Sequence, residues 1–249
     1  MPEWRPSPRD LNRMTVVRFT LAARIQHIVL MATFTILILT GLPVLVAETG
    51  GWAMRGLFTL RTFLHHTAGA ALIGLGIYHT IWISFTEEGR REFGSVLPRV
   101  DDLKDLVHFV RYQLGKVDDP PPFDKYDPFE KFEYLAVVWG SIVMVVTGLM
   151  MWFFEFTMQV FPKWTYDLAR LIHGYEAVLA FLAVILGHLY NVHLKPGVWP
   201  MNRVWLDGEM TLRELKAHHP KAYEHWLRQQ HLQSTDGGTS AEEGPDTSR

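Results

Sequence analysis

The chain has 249 residues, of which 48% are apolar and 20% are charged, and its formal net charge is −2 at pH 7. This balance excludes a basic nucleic-acid-binding protein. Because the chain contains no cysteine, disulfide frameworks, thiolate zinc sites, cysteine-bound iron–sulfur clusters and haem attached through cysteine are also excluded. Any redox cofactor must therefore be held by histidine.

Four stretches are long and apolar enough to cross a bilayer core, which takes about 20 helical residues. They are apolar on all sides, whereas the helices of a soluble bundle carry polar residues on their outer faces. The sequence therefore predicts an all-α fold, an integral membrane four-helix bundle. The predicted helices cover residues 22–47, 62–86, 132–156 and 169–194.

Lys and Arg residues are concentrated in the N-terminal arm, the central loop and the C-terminal tail. These segments carry five, eight and seven of them, whereas the other two loops carry two each. Positive charge is retained on the cytoplasmic side of a membrane. We therefore expect a multi-pass protein whose N- and C-termini are both cytoplasmic.

Two polar segments outside the membrane also have helical patterns. Residues 101–115 place apolar side chains at helical spacing and predict a cytoplasmic amphipathic helix. Residues 211–230 predict a polar helix, and residues 232–249 have the Gly, Ser, Thr and acidic composition of a disordered tail. Residues 1–231 would then form a single membrane domain.

Seven histidines lie inside or beside the apolar stretches, where an unpartnered polar side chain is costly. They are His27, His65, His66, His79, His173, His188 and His193. Two pairs, one on the second predicted helix and one on the fourth, are separated by 14 and 15 residues. At about 100° and 1.5 Å per residue, each pair stays on one broad helix face at two depths about 21–22 Å apart. Two facing helices with such pairs can hold two haems, whereas a zinc or di-iron site would gather its ligands at one depth.

The predicted topology sorts these histidines by depth. Helices two and four both begin outside, so His65 and His173 lie near the outer surface and can bind an outer haem together. His188 lies near the inner surface, and its partner on an inner haem is either His27 or His79. A third haem would be possible if both of these bind iron.

Three other residues are candidates for contact with a haem. His193 can bind iron, donate to a haem propionate or extend toward the interface. Gly41 lies 14 residues after His27 and can bring the helix backbone close to the outer porphyrin, although small residues also serve helix packing. Glu176, one turn after His173, can hydrogen-bond a ligand imidazole or be a carboxylate stabilised by the helix N-terminus.

Several short motifs occur in an order that resembles a known family. They are Arg24-Ile25-Gln26-His27, Thr40-Gly41, Leu64-His65, Lys125-Tyr126, Val146-Thr147-Gly148, Leu171-Ile172-His173, His188-Leu189-Tyr190 and His218-His219-Pro220. This combination resembles the membrane cytochrome b (gamma) subunit of respiratory formate dehydrogenase. It is also similar to the cytochrome b subunits of nickel–iron hydrogenases and thiosulfate reductases.

The resemblance implies two haem b groups with histidine axial ligands, His27 with His188 at the inner haem and His65 with His173 at the outer haem. His79 has no counterpart in the formate dehydrogenase pattern. The spacing from His173 to His188 is 15 residues, where that pattern has one residue fewer. These two departures keep the inner ligands and a third haem open.

The resemblance also implies a quinone-linked electron carrier in a bacterial or archaeal cytoplasmic membrane. Histidine on both sides of each iron disfavours oxygen binding and leaves electron transfer as the role. We expect an extracytoplasmic iron–sulfur or cytochrome c subunit as partner, a quinone as substrate and no catalytic residues for other chemistry. Asp127, Glu130 and Lys131 lie where the family has its quinone site, but the two acidic residues replace neutral polar ones and can equally be loop charges.

Three alternatives make different predictions. A self-contained cytochrome b561-like membrane reductase would bind haem but would have no tightly bound partner subunits. A histidine-lined transporter for divalent metals would show no haem absorbance. A plain membrane anchor would leave the histidine spacing unexplained.

Overall fold

A computed structural model describes residues 5–50, 55–194, 198–199 and 201–239. Within this part of the chain, four helical segments are long and apolar enough to cross a membrane. They are Leu21–Val44, Thr59–Phe85, Pro128–Trp152 and Lys163–Leu194. The predicted all-α membrane fold is confirmed, with each segment shifted by a few residues from its predicted bounds.

The described residues form the following elements in chain order. They are α1 (Pro8–Arg13), β1 (Thr15–Val17), α2 (Leu21–Gly50), α3 (Arg55–Phe85), α4 (Glu87–Val96), α5 (Val100–Gln113), α6 (Pro128–Trp152), α7 (Phe154–Val160), α8 (Lys163–Leu182), the π-helices π1 (Ala183–His188) and π2 (Tyr190–Leu194), α9 (Val204–Asp207), β2 (Glu209–Thr211), α10 (Leu212–His218) and α11 (Pro220–Thr239). The chain divides into two compact units, which we call the peripheral unit and the membrane unit. The peripheral unit comprises the described parts of Met1–Arg18, Ser95–Lys131 and Glu209–Arg249, and the membrane unit those of Phe19–Gly94 and Phe132–Gly208.

The membrane unit has apolar side chains on its outside and small polar ones inside. Leu39 and Trp139 are each 69% exposed, whereas Thr33, Thr40 and Thr147 are buried. Each of these threonines donates its hydroxyl hydrogen to a carbonyl one turn earlier in its own helix. This inverted pattern suits a bundle whose outer surface faces lipid, since the buried polar groups are satisfied internally.

The fourth membrane segment changes from α-helix to π-helix at Ala183. A π turn has i→i+5 hydrogen bonds and accommodates one extra residue within a helix. The 15-residue step from His173 to His188 therefore turns as a 14-residue α-helical step would. The departure in spacing seen in the sequence is absorbed by π1.

The third membrane segment begins at Pro128, four residues before its predicted start. Asp127 accepts a hydrogen bond from the Glu130 backbone at 2.8 Å, and Glu130 accepts one from the Asp127 backbone at 2.9 Å. This reciprocal capping, together with a proline at the first helical position, fixes the start of α6. The helix ends at Trp152, before the predicted residue 156, and α7 follows.

The peripheral unit joins the N-terminal arm to the C-terminal segment. Strands β1 and β2 pair antiparallel, with Val16 opposite Met210. Met210 and Leu212 are buried, and Leu212 is fully so. Two strands of three residues are too short to show alternation in the sequence, so this pairing was not predicted.

The polar helix predicted over residues 211–230 is two helices, α10 and α11, which are separated at His219. Pro220 has no N–H and disfavours helical geometry in the residue before it. His219 accordingly has φ −133° and ψ 62°. Helix α11 continues to Thr239, past the predicted start of the tail, and residues 240–249 of that tail lie outside the described residues. The amphipathic helix predicted over 101–115 is α5, followed by Gly115 with a φ of 65°.

Candidate functional site

His65 on α3 and His173 on α8 face each other inside the membrane unit. Their ring centroids are 6.3 Å apart and their planes are inclined by 60°. Two imidazoles bound to opposite sides of one metal ion would have centroids roughly 6 Å apart, because each metal–nitrogen bond is about 2 Å long and each centroid lies about 1 Å behind its nitrogen. The pair therefore has the separation that bis-imidazole ligation requires.

His27 on α2 and His188, the last residue of π1, form a second pair of the same kind. Their centroids are 6.2 Å apart and their planes are inclined by 52°. Of the two candidates for the inner position, His27 is the one that faces His188. The two separate pairs contrast with a compact metal centre, and in the described residues no group of three or more His, Asp or Glu side chains is suited to hold a metal ion.

Two threonines hold the imidazoles of the first pair. Thr40 Oγ1 lies 2.8 Å from Nδ1 of His65, and Thr147 Oγ1 lies 2.9 Å from Nδ1 of His173. Each hydroxyl donates its one hydrogen to a backbone carbonyl of its own helix, so it must accept from the imidazole. Nδ1 of both histidines therefore carries the hydrogen, and Nε2 is the unprotonated nitrogen that a metal ion would bind.

A glycine follows each of these threonines and lies against the same imidazole. A Cβ atom on Gly41 would be 3.4 Å from Cε1 of His65, and one on Gly148 would be 3.2 Å from Cε1 of His173. Gly41 thus lies against the edge of the His65 imidazole, and its closeness to an outer porphyrin stays a prediction. The two Thr-Gly pairs thus orient both rings and leave them room.

A carboxylate holds the imidazole of His188. Glu133 Oε2 on α6 lies 3.0 Å from Nδ1 of His188. Glu133 was not predicted from the sequence, because it lies just before an apolar stretch and resembles a charge at the end of a membrane segment. A signal was present, since Glu133 and Thr147 are 14 residues apart on one helix, the spacing already noted for the histidines.

His79 has protein partners on both ring nitrogens. Nδ1 lies 2.7 Å from Gln26 Oε1, and Nε2 lies 2.9 Å from the hydroxyl of Tyr134. The amide oxygen can only accept, so Nδ1 carries the hydrogen and the Tyr134 hydroxyl donates to Nε2. In this arrangement neither nitrogen of His79 is available to a metal ion.

Several buried polar atoms around His27 have no hydrogen-bond partner among the described residues. They are Nδ1 of His27 itself, Nδ1 of His193, Nε of Arg24 and Nε1 of Trp205. The ring of Trp205 lies 6.4 Å from that of His27, and Arg24 is one turn earlier on α2. The nitrogens of Arg24 and Trp205 are always donors, and unsatisfied donors of this kind suit an anionic group.

Glu176 lies beside Gly140 of α6, where a Cβ atom would be 2.8 Å from its Oε1. Nδ1 of His65 and Nδ1 of His173 face Thr40 and Thr147 and not the Glu176 carboxylate. A role of Glu176 beside the outer haem stays a prediction. The imidazole–carboxylate contact occurs instead at Glu133.

The three residues predicted for a quinone site have structural partners in the peripheral unit. Asp127 and Glu130 cap α6. Glu130 also forms an ion pair with Arg18 at 2.9 Å, and Lys131, which is 5% exposed, pairs with Asp102 at 2.7 Å. Burial raises the pKa of Asp127, and the nearby charge of Glu130 raises it further.

His219 is a buried titratable group of the peripheral unit. It is 7% exposed, and Nδ1–H donates to the backbone oxygen of Asp124 at 2.8 Å. Burial lowers the pKa of His219 to about 4, and the positive charge of Arg18 contributes to the shift. It is therefore neutral at neutral pH, where it acts as a hydrogen-bonded link between two segments of the unit.

Comparison with known proteins gives two matches. A family model described as prokaryotic cytochrome b561 matches residues 18–206, which include all four histidines of the two pairs. The cytochrome b556 subunit of formate dehydrogenase from Haemophilus influenzae is 21% identical over 216 residues, covering 85% of this chain and 84% of that protein.

Proposed function

The chain belongs to the prokaryotic cytochrome b561 family, and on this premise we propose that it is a di-haem subunit that carries electrons across the membrane between an extracytoplasmic partner and the quinone pool. Membership of the family makes it a multi-pass membrane cytochrome b, an electron carrier of the haem b class. The observation that carries the proposal is the presence of two histidine pairs with centroid separations of 6.3 and 6.2 Å.

The residues present fit two b-type haems. His65 and His173 would be the axial ligands of the outer haem, and His27 and His188 those of the inner haem. The bound haems would supply one-electron transfer. The acceptors at Nδ1 would fix the tautomers of His65, His173 and His188. Two histidines at each haem would leave no position for oxygen.

The unpartnered nitrogens near His27 support the inner site. Arg24, His193 and Trp205 each present a buried nitrogen with no partner among the described residues. Haem propionates are carboxylates, and they would satisfy such donors through charge-assisted hydrogen bonds. Of the three roles predicted for His193, we propose contact with a haem propionate.

The proposed direction across the membrane rests on the distribution of Lys and Arg, which puts both termini inside. The outer partner would be an iron–sulfur or cytochrome c subunit of a respiratory complex. The formate dehydrogenase relative is named as a subunit, which supports membership of a complex. The quinone would react on the cytoplasmic side, with Asp127, Glu130 and Lys131 as candidates. Asp127 supports this because its raised pKa lets it keep a proton to higher pH than an exposed aspartate does.

Spectroscopy of the purified protein tests the haem assignment. We expect a low-spin b-type spectrum with about two non-covalent haems per chain. His65→Ala and His173→Ala should each lose the outer haem and keep most of the inner one. A preparation without a Soret band would refute the cytochrome assignment, and retention of both haems in both variants would refute the pairing.

Gentle detergent extraction tests the partner assignment. If the chain is a subunit of a respiratory complex, a redox protein with iron–sulfur or c-type haem absorbance should co-purify in a fixed ratio. Recovery of the chain by itself, with haem retained and with reductase activity toward a quinone, would instead support a self-contained membrane reductase.

A further inference from the structure

The two proposed haem sites differ in the chemistry of the groups that hold their ligands. At the outer pair, both Nδ1 atoms donate to neutral threonine hydroxyls at 2.8 and 2.9 Å. At the inner pair, Nδ1 of His188 faces a carboxylate oxygen of Glu133 at 3.0 Å. The family resemblance gave no reason to expect this difference.

The position of Glu133 is fixed by the same helix that serves the outer site. Glu133 and Thr147 are 14 residues apart on α6, so they lie on nearly the same face at two depths. They hold His188 and His173, respectively, which lie on the fourth membrane segment. Oε1, the other carboxylate oxygen of Glu133, lies beside Gly187, the residue before His188. A Cβ atom on Gly187 would be 3.8 Å from this oxygen, an ordinary contact distance.

From this asymmetry, and resting on the proposed di-haem function, we infer that Glu133 is a positioning residue that lowers the reduction potential of the inner haem by holding His188 through a charged hydrogen bond. The carboxylate acts through the imidazole and does not itself bind the haem.

The physical reason lies in the strength of the two kinds of acceptor. A hydrogen bond to a carboxylate is about twice as strong as one to a neutral acceptor. It draws the Nδ1 hydrogen away from the ring and makes Nε2 a more basic ligand. A more basic axial ligand stabilises the oxidised iron relative to the reduced iron, and so lowers the potential. Threonine hydroxyls exert this effect more weakly on His65 and His173.

The decisive variant is Glu133→Gln, because the amide oxygen can still accept from Nδ1–H while the charge is lost. We expect two haems per chain, an inner-haem potential higher than that of the parent and an unchanged outer-haem potential in a redox titration followed by optical and EPR spectra. Glu133→Asp, which keeps the charge, should return the potential toward the parent value. Glu176→Gln is the matched control, since it makes the same change in a carboxylate that lies beside Gly140, and it should leave the inner-haem potential unchanged.

A second measurement needs no variant that might fail to bind haem. Redox-difference infrared spectra of the unmodified protein, recorded across the inner-haem potential, should contain a shift in the stretching bands of a carboxylate hydrogen-bonded to histidine. The outer-haem step should lack it. Absence of that shift, or an inner-haem potential in Glu133→Gln equal to that of the parent, would overturn the inference. These outcomes differ from failure of the proposed function, which would show as a parent protein that binds no haem or does not bind two.

Discussion

Thr147 Oγ1 lies 2.9 Å from Nδ1 of His173 and accepts a hydrogen bond from it. The hydroxyl cannot donate to His173, because its own hydrogen goes to the carbonyl of Val143 at 2.7 Å. Thr40 on α2 likewise accepts from Nδ1 of His65 and donates to a carbonyl of its own helix. Two helices that carry neither histidine of this pair thus determine the tautomer of both imidazoles.

Thr147→Val should weaken outer-haem binding, because valine keeps the shape of threonine but removes the acceptor for Nδ1–H. Partners of metal-bound histidines typically contribute about 10–100-fold in affinity, and we expect a loss in that range. Haem titration of the apo-protein measures it. Thr147→Ser keeps the hydroxyl and should bind haem nearly as well as the parent. Equal affinity of the valine and serine variants would contradict the role given to this hydroxyl.

The two glycines beside the imidazoles should differ in tolerance of a methyl group. A Cβ at Gly148 would be 3.2 Å from the ring of His173, closer than carbon atoms normally pack, whereas one at Gly41 would be 3.4 Å from His65. Gly148→Ala should therefore lose more outer haem than Gly41→Ala in a pyridine haemochrome assay. The reverse order would show that ring contact does not limit these positions.

His27→Ala and His79→Ala should separate the two candidates for the inner ligand. His27 faces His188, whereas both nitrogens of His79 bind Gln26 and Tyr134. We expect about one haem per chain in His27→Ala and two in His79→Ala. Loss of the inner haem only in His79→Ala would require ligation by helices two and four. Loss of a different haem in each variant would instead indicate three haems.

The membrane segments were predictable because their signal is local: about 20 apolar residues in a row need no tertiary information. The spacing of His173 and His188 was likewise readable, since it follows from helix geometry, whereas the same spacing of His65 and His79 paired a candidate ligand with a residue held by Gln26 and Tyr134. The structure adds which histidines face each other: the ring centroids of His27 and His188 are 6.2 Å apart, and those of His65 and His173 are 6.3 Å apart. Whether these residues bind iron stays a prediction that the variants above test.

Other features depend on contacts that no local pattern encodes. The pairing of Thr15–Val17 with Glu209–Thr211 joins segments separated by nearly the whole chain. The π-helix from Ala183 to His188 is a choice of backbone hydrogen bonds that the residue types do not specify. His79 was a plausible ligand in the sequence because its two hydrogen-bond partners come from other helices.

The stability of the peripheral unit should depend on pH through His219. His219 is neutral in the folded chain down to its pKa of about 4, whereas in the unfolded chain it takes up a proton near pH 6.5. Between these values the unfolded state binds more protons, so stability is full above about pH 6.5 and falls as the pH is lowered toward 4, by roughly 1–3 kcal/mol. The raised pKa of Asp127 acts in the opposite direction, because there the folded state binds more protons.

Hydrogen exchange of the β1–β2 amides at pH 7 and pH 5, corrected for intrinsic rates, measures the net change. His219→Gln removes the histidine term but retains Asp127, so its protection should fall less on acidification than that of the parent. The same fall in both proteins would assign the acid sensitivity to another group.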